Sequence, residues 1–320
     1  LVAALVARHY PNGGLHTFNV GLDIGASDRG FARMVADQIN STHHEVTITK
    51  REALDLLRET VRVCESFDTT TIRASTMQLA LARYIQRETD IKVIFNGDVI
   101  DEASGSYVYF KNAPTLNDYQ EESVRLMKEI HLFDVLRADR TISGCGLEAR
   151  LPFGDLAFLK YYMAIPPILR RPRDGVEKYL LRKAFEGFLP EQVLWRPKEA
   201  FSDGCSEPEE SWFSIIQNFV ATQVTDVELA QAATLYPHCT PQTKEQFYYR
   251  KIFEQEYPGR ASVIPHFWMP RWCGDDVVDP SARVLTDVYR AASAENEGVD
   301  TREKLDTAKP VDQRALNETG

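Results

Sequence analysis

The chain has 320 residues, 43% of them hydrophobic, enough to bury a sizeable core in one large or two smaller domains. Its 37 basic and 47 acidic residues give a formal charge of −10, which argues against a general nucleic-acid footprint, because such surfaces need clustered excess Lys and Arg. No apolar run is long enough to span a bilayer, and the five scattered cysteines, never in a C-x-x-C arrangement, argue against a zinc site or a disulfide framework and point to the reducing cytoplasm.

Residues 1–9 read as an apolar helix that starts without a cap and carries no basic leader, so they resemble the middle of a helix and not a signal peptide. Thr17 to Leu22 reads as a strand, and the loop Asp23 to Gly30 leads into a helix over about 30–40 with Phe31, Met34, Val35 and Ile39 on one face. His43 to Thr49 is a second strand. Its adjacent histidines point to opposite faces, so structural histidines are the better account than a shared metal. Residues 51–64 place Ala53, Leu54, Leu57, Val61 and Cys64 at helical spacing, and Thr71 to Arg87 is a further helix. Val93-Ile94-Phe95 alternates too little for a half-exposed strand and is expected to be a central parallel strand buried on both faces. Strands alternating with helices imply βαβ units, a parallel sheet and right-handed crossovers.

After Pro114 the alternation gives way to long amphipathic stretches at 117–140, 155–164, 175–187, 207–222 and 242–257. The expected organisation is an α/β core over 1–114, a mostly helical part over 115–290 and a polar, disordered tail over 291–320.

Three stretches carry chemistry. Asn96-Gly97 ends the third strand, and Asp98, Asp101 and Glu102 follow it. Open α/β sheets bind ligands at the carboxyl ends of their strands, so these acids are candidates to hold Mg²⁺ and, through it, a polyphosphate. The bland account is an N-cap cluster on a solvated turn. In Asp68 to Thr76, hydroxyls precede a helix and Arg73 lies in its first turn, where the dipole disfavours a base. That suggests an anionic partner gripped bidentately. The alternative makes Thr70 or Thr71 a plain N-cap and pairs Arg73 with Asp68. The third stretch is the polar loop Arg196 to Gly204, whose Lys198 can stabilise charge on a phosphate, although most surface lysines do nothing of the kind.

From Leu1 to about Val288 the chain resembles the synthetase domain of the glutamine-dependent asparagine synthetase family. The matching segments include Val20-Gly21-Leu22, Thr70-Thr71-Ile72-Arg73-Ala74-Ser75-Thr76, Gly146-Leu147-Glu148-Ala149-Arg150-Leu151-Pro152-Phe153, Glu177-Lys178, Lys198-Glu199-x-Phe201-Ser202-Asp203-Gly204 and Asp279-Pro280-Ser281-Ala282-Arg283. The resemblance implies a doubly wound parallel α/β sheet of the adenine nucleotide alpha hydrolase, or ATP-pyrophosphatase, type. It also implies ATP and Mg²⁺, activation of aspartate as its β-aspartyl adenylate, and attack by ammonia to give asparagine, AMP and pyrophosphate.

By the same resemblance Val20, Asn96, Gly97 and Asp101 would meet ATP, with Asp101 at the Mg²⁺–pyrophosphate. Thr70, Thr71 and Arg73 would hold aspartate. Asp98, Lys198 and Arg73 would carry the catalysis, and Glu102 and Glu148 would lie near the site, where a salt bridge explains Glu148 equally well. Expected partners are aspartate and ammonia, the latter from a glutaminase domain outside this sequence, and homodimer formation stays open. The family reads Ser-Gly-Glu-Gly-Ser-Asp-Glu where this chain reads Asn96-Gly97-Asp98-Val99-Ile100-Asp101-Glu102. Val99 stands where the family has Gly, and a β-branched residue resists φ > 0, so a rebuilt loop is expected. The family's pyrophosphate loop, which precedes a Leu-Val-Ala-Ala-Leu helix, also lies outside the sequence, as expected of a fragment or a shortened gene. Two other readings stay open: a degenerate, non-catalytic relative acting as a binding subunit, and a related amide-forming synthetase with another carboxylate substrate.

Overall fold

The computed structural model describes residues 1–10, 14–274, 276–281 and 284. The expected tail over 291–320 lies outside the described residues. The chain opens with helix α1 (Val2–Ala7), strand β1 (His16–Leu22), helix α2 (Ser27–Gln38), strand β2 (Thr42–Ile48) and helices α3 (Lys50–Cys64) and α4 (Thr69–Glu88). β1 and β2 pair in parallel, from His16 opposite Thr42 to Leu22 opposite Ile48, with α2 as the crossover between them. A capping box starts α3: Thr49 Oγ1 accepts from the Glu52 N–H at 3.2 Å, and the Glu52 carboxylate accepts from the Thr49 N–H at 2.7 Å. The stripe Ala53, Leu57, Val61 and Cys64 on α3 is fully buried, as its spacing predicts. His43 and His44 find separate partners: His43 bonds Thr17 Oγ1 at 2.9 Å, whereas His44 bonds His16 at 2.8 Å and stacks on Phe18.

Strand β3 (Val93–Phe95) leads through helices α5 (Ile100–Ser104), α6 (Leu116–Glu129) and α7 (Asp134–Ala138) to strand β4 (Glu148–Arg150), which pairs with β3 in parallel. The described residues therefore hold two separate two-stranded parallel sheets. Val93 is 44% exposed and Phe95 49%, so β3 is not buried on both faces. The reason is its single partner among the described residues: β4 covers one edge, and the side toward β1 opens into a cavity of about 840 Å³ walled by Phe18, Leu81, Ile85 and Ile94. The single amphipathic stretch expected over 117–140 is also broken, because Phe133, at φ −131° and ψ −91°, turns into an aromatic cluster with Trp268.

The remainder is helical: α8 (Leu156–Ala164), α9 (Pro167–Arg170), α10 (Tyr179–Ala184), α11 (Glu191–Leu194), α12 (Phe201–Gly204), α13 (Trp212–Gln223), α14 (Asp226–Ala230), α15 (Ala232–Leu235) and α16 (Lys244–Glu256). Helices α13 and α16 pack on α3, so one core holds Val20, Leu57 and Ile72 together with Trp212, Ile216, Tyr249 and Phe253. Burying a side chain such as Leu57 or Phe253 stabilises by about 1.5–3 kcal/mol. The α/β and helical parts of the chain thus share one interior.

Candidate active site

The alternative that makes Thr70 or Thr71 the N-cap of α4 misses by two or three residues. Asp68 is the cap, accepting from the Thr71 N–H at 2.9 Å and the Thr71 hydroxyl at 2.8 Å. Its other oxygen accepts from the Trp268 N–H at 2.8 Å, which ties the helix start to the C-terminal part of the chain. Asp68 is fully buried, and that burial raises its carboxyl above the usual range. Thr71 therefore faces its own cap, while Thr70 faces a cavity of about 190 Å³.

That cavity gathers most of the acids and bases singled out in the sequence. Asp98, Asp101, Glu102, Lys198, Thr70 and Arg73 all line it. At the end of β3, Asn96 folds over Asp98: Asn96 Oδ1 accepts from the Asp98 N–H and Asn96 Nδ2 donates to Asp98 Oδ2, both at 2.9 Å. Arg137, on α7, donates to Asp98 Oδ1 at 3.2 Å and to Asp134 at 3.0 Å. Burial, with Asp134 and Asp101 nearby, still raises the Asp98 carboxyl against the pull of Arg137.

Val99 follows at φ 84°, and it is 4% exposed. Val99 thus takes the positive φ that a β-branched residue resists. Burial holds Val99 in the strained region, at a typical cost of about 1–3 kcal/mol, and its carbonyl still accepts the first bond of α5 from Ala103. At the other end of α5, Gly105 adopts φ 57°, where a side chain would run into the ring of Tyr119.

Asp101, in the first turn of α5, is clasped by two lysines. Lys178 Nζ lies 2.6 Å from Oδ1, and Lys198 Nζ lies 2.9 Å from Oδ2. The Ser106 hydroxyl also donates to Oδ1. Burial opposes the charge on Asp101, but Lys198 and Lys178 outweigh it and hold the carboxyl well below the usual range. Burial pushes the Lys178 ammonium down, whereas at Lys198 the charge of Asp101 outweighs burial and pushes it up. Glu102 is 2% exposed; its Oε1 accepts from the Tyr107 hydroxyl, and its Oε2 has no partner among the described residues. Burial and the neighbouring Asp134 and Asp101 push its carboxyl well up.

Other residues stand differently from expectation. Arg73 pairs not with Asp68 but with Glu245 and Asp279, so its fork does not lie free in the cavity. Val20 is buried at 1% in the core opposite Val46, and its side chain lines neither cavity. Glu148 is not near the site. It sits opposite Val93, at the far end of β3 from Asn96, and makes an ion pair with Arg150 at 2.6 Å. Asn96 and Gly97 line the larger cavity, which shares Asp98, Arg137 and Phe201 with the smaller one. Sequence reasoning missed Arg137, Asp134 and Tyr107, and gave Lys178 no role. The i, i+3 spacing of Asp134 and Arg137 on one helix is the signal that could have found the first two.

Fold and site together define an α/β protein with a cleft at the carboxyl end of a parallel strand, lined by paired acids and bases. The family model for asparagine synthase matches residues 1–125 and 114–273, and the chain belongs to that family. It is 48% identical over 282 residues to an asparagine synthetase (glutamine-hydrolyzing) of Bos taurus, which covers 88% of this chain and 50% of the relative. The corresponding figures are 48% over 304 residues for the protein of Gallus gallus and 47% over 282 residues for that of Homo sapiens. The chain spans about half the length of these relatives. No helix among the described residues is long and apolar enough to cross a membrane.

Proposed function

We propose that this chain is the part of an asparagine synthetase that activates aspartate with ATP and amidates it with ammonia. The observation that carries the reading is Asp101 held between Lys178 and Lys198 on the wall of a polar cavity that Arg137 also lines. Lys198 and Arg137 on the cavity wall, with Lys178 behind Asp101, place cations within reach of a polyphosphate in a chain whose overall charge is −10. In this reading the two parallel pairs are parts of one doubly wound sheet of the ATP-pyrophosphatase type.

An oxygen of the aspartate β-carboxylate attacks the α-phosphorus of ATP, and the bond to pyrophosphate breaks with its electrons leaving on pyrophosphate. Lys198 and Lys178 turn from Asp101 to the leaving group, where charge develops. Ammonia then adds to the acyl carbon, AMP leaves with the bridging oxygen, and Asp98 accepts the surplus proton. Thr70 and Arg73 orient the aspartate, and Asn96 and Gly97 meet the nucleotide.

Mg²⁺ usually binds through one or two carboxylates and the substrate's phosphates. The oxygen-only donors here fit that habit: Asp101 would hold the ion, and Glu102 Oε2 is a buried acceptor with nothing on it among the described residues. Those residues include no cluster of three metal-ligating side chains that would cage an ion without phosphates. The ion would neutralise charge on the leaving pyrophosphate. The ammonia comes from glutamine hydrolysed by a part of the protein outside this chain, as the relatives' names suggest. None of the five cysteines forms a disulfide, in keeping with a cytoplasmic enzyme.

The reading is tested by following AMP and pyrophosphate in the presence of ATP, aspartate and ammonium salts. AMP formation that requires aspartate supports it. ADP as the nucleotide product, or AMP formed equally without aspartate, overturns it.

A further inference from the structure

Arg73 is 5% exposed and carries two carboxylates at once. Its Nε and Nη2 donate to Glu245 Oε1 and Oε2 at 2.8 and 2.6 Å. Its Nη1 and Nη2 donate to Asp279 Oδ1 and Oδ2 at 2.9 and 2.7 Å. Each partner thus takes the two-toothed grip that the guanidinium offers to any carboxylate.

The two partners are not equivalent. Glu245 lies on α16, is 0% exposed, and also accepts from the Tyr249 hydroxyl at 2.9 Å and from Gln217 Nε2. Removing it would strand a buried charge and two further donors. The Asp279 side chain is 11% exposed and sits in residues 276–281, which form neither helix nor strand. Its Oδ1 also accepts from the Ser281 N–H, at 2.8 Å. Gln246 Nε2 donates to the Val278 carbonyl at 2.9 Å and tethers the stretch to α16. Pro280 and Ser281, next in sequence, line the cavity that holds Asp98, Asp101 and Lys198.

An entering carboxylate therefore meets Arg73 on the Asp279 side. Exchange there leaves the charge of the cluster unchanged, one guanidinium with two carboxylates, so no buried charge is left uncompensated. We propose that Asp279 occupies the carboxylate subsite of Arg73 from within the chain, and that substrate aspartate displaces it on binding. Asp279 is then a specificity-determining residue: it competes with aspartate, sets its affinity, and leaves the fork closed to carboxylates too weak to displace it. The inference rests on the proposed use of aspartate, and it adds an internal competitor at that site.

The test is Asp279→Asn in the full-length gene product. Asn keeps the size and can still accept from the Ser281 N–H, but it gives Arg73 one oxygen in place of two and no charge. Removing a competitor that holds the subsite closed most of the time lowers the apparent aspartate KM by about tenfold. The KM for ATP stays unchanged and kcat stays within about twofold. An aspartate KM that is unchanged or raised overturns the proposal.

Hydrogen exchange on the unmodified protein gives a second readout that survives a variant that fails to fold. Saturating aspartate should speed exchange at the Ser281 amide, because Asp279 is pulled away. Slower or unaltered exchange in a protein that forms aspartate-dependent AMP overturns the displacement while leaving the proposed function intact. Absence of aspartate-dependent AMP from the unmodified protein overturns both.

Discussion

Lys198 Nζ lies 2.9 Å from Asp101 Oδ2, and that contact bridges the loop after α11 to the acid helix α5. Asp101 is shared with Lys178, so neither ammonium is fully neutralised and both are in place for an incoming anion. Lys198 should therefore favour the transition state over bound ATP. Lys198→Ala should lose on the order of 10²–10³-fold in adenylate formation, mostly in kcat. Lys198→Arg should rescue poorly, since a planar fork does not mimic a compact point charge. Single-turnover AMP formation measures this; near-parental speed in the Ala variant would make Lys198 a holder of Asp101 and nothing more.

The same clasp predicts a pH-dependent stability. Asp101→Asn leaves two half-buried ammoniums without their counter-charge and should cost about 3 kcal/mol at pH 7, the low end for a broken buried pair. Lys198 and Lys178 hold the Asp101 carboxyl below its usual range in the folded state. Its stabilisation is thus fully present above the unfolded value of about 4 and is lost as pH falls through the lower folded value. Urea midpoints of the two proteins should converge in strong acid. A gap that stays constant from pH 7 downward would speak against the ion cluster as its source.

Arg170 should prove irreplaceable by Lys. It is fully buried and donates to the Ile165 carbonyl at 2.9 Å, to the Ala103 carbonyl at 3.0 Å, and to Gln120, joining α9 to α5 and α6. A lysine cannot reach these acceptors with one planar fork, and each buried acceptor left unpaired costs about 1–3 kcal/mol. Thermal unfolding of Arg170→Lys should show a clear loss, whereas an unchanged midpoint would mean that Lys finds the same acceptors.

Thiol labelling should single out Cys239. Cys64, Cys145, Cys205 and Cys273 are buried, and burial pushes the Cys64 thiol up to about 11. Cys239 is half-exposed, and burial also raises its thiol above the ordinary value. Iodoacetamide should modify Cys239 first in the native chain, with a rate still rising about tenfold per pH unit between pH 7 and 8. Peptide mapping that finds Cys64 or Cys205 labelled ahead of it would contradict the packing described.

What the sequence reveals follows from what is local. The stripe Ala53, Leu57, Val61 and Cys64 is a helix of regular spacing with one buried face, and both can be read from the spacing alone. Asp98, Asp101, Glu102 and Lys198 stand out by residue type and place, and the fold gathers them on one cavity. The misses are long-range. Val93 and Phe95 have the composition of a central strand, but their exposure depends on which strands lie alongside, and among the described residues β3 pairs with β4 alone. The bland alternative for Arg73 pairs it with Asp68, five residues away; its partners Glu245 and Asp279 are 172 and 206 residues distant. Lys178 reaches Asp101 across 77 residues, a juxtaposition that no local pattern encodes.

The central claim is that the cleft activates a carboxylate as an acyl-adenylate. Oxygen-18 in the β-carboxylate of aspartate tests it most directly, with ATP and ammonium salts supplied to the full-length gene product. Attack of that carboxylate on the α-phosphorus predicts one labelled oxygen in AMP and none in pyrophosphate. Label recovered in inorganic phosphate, with ADP as the nucleotide product, would mean attack at the γ-phosphorus and would contradict the account.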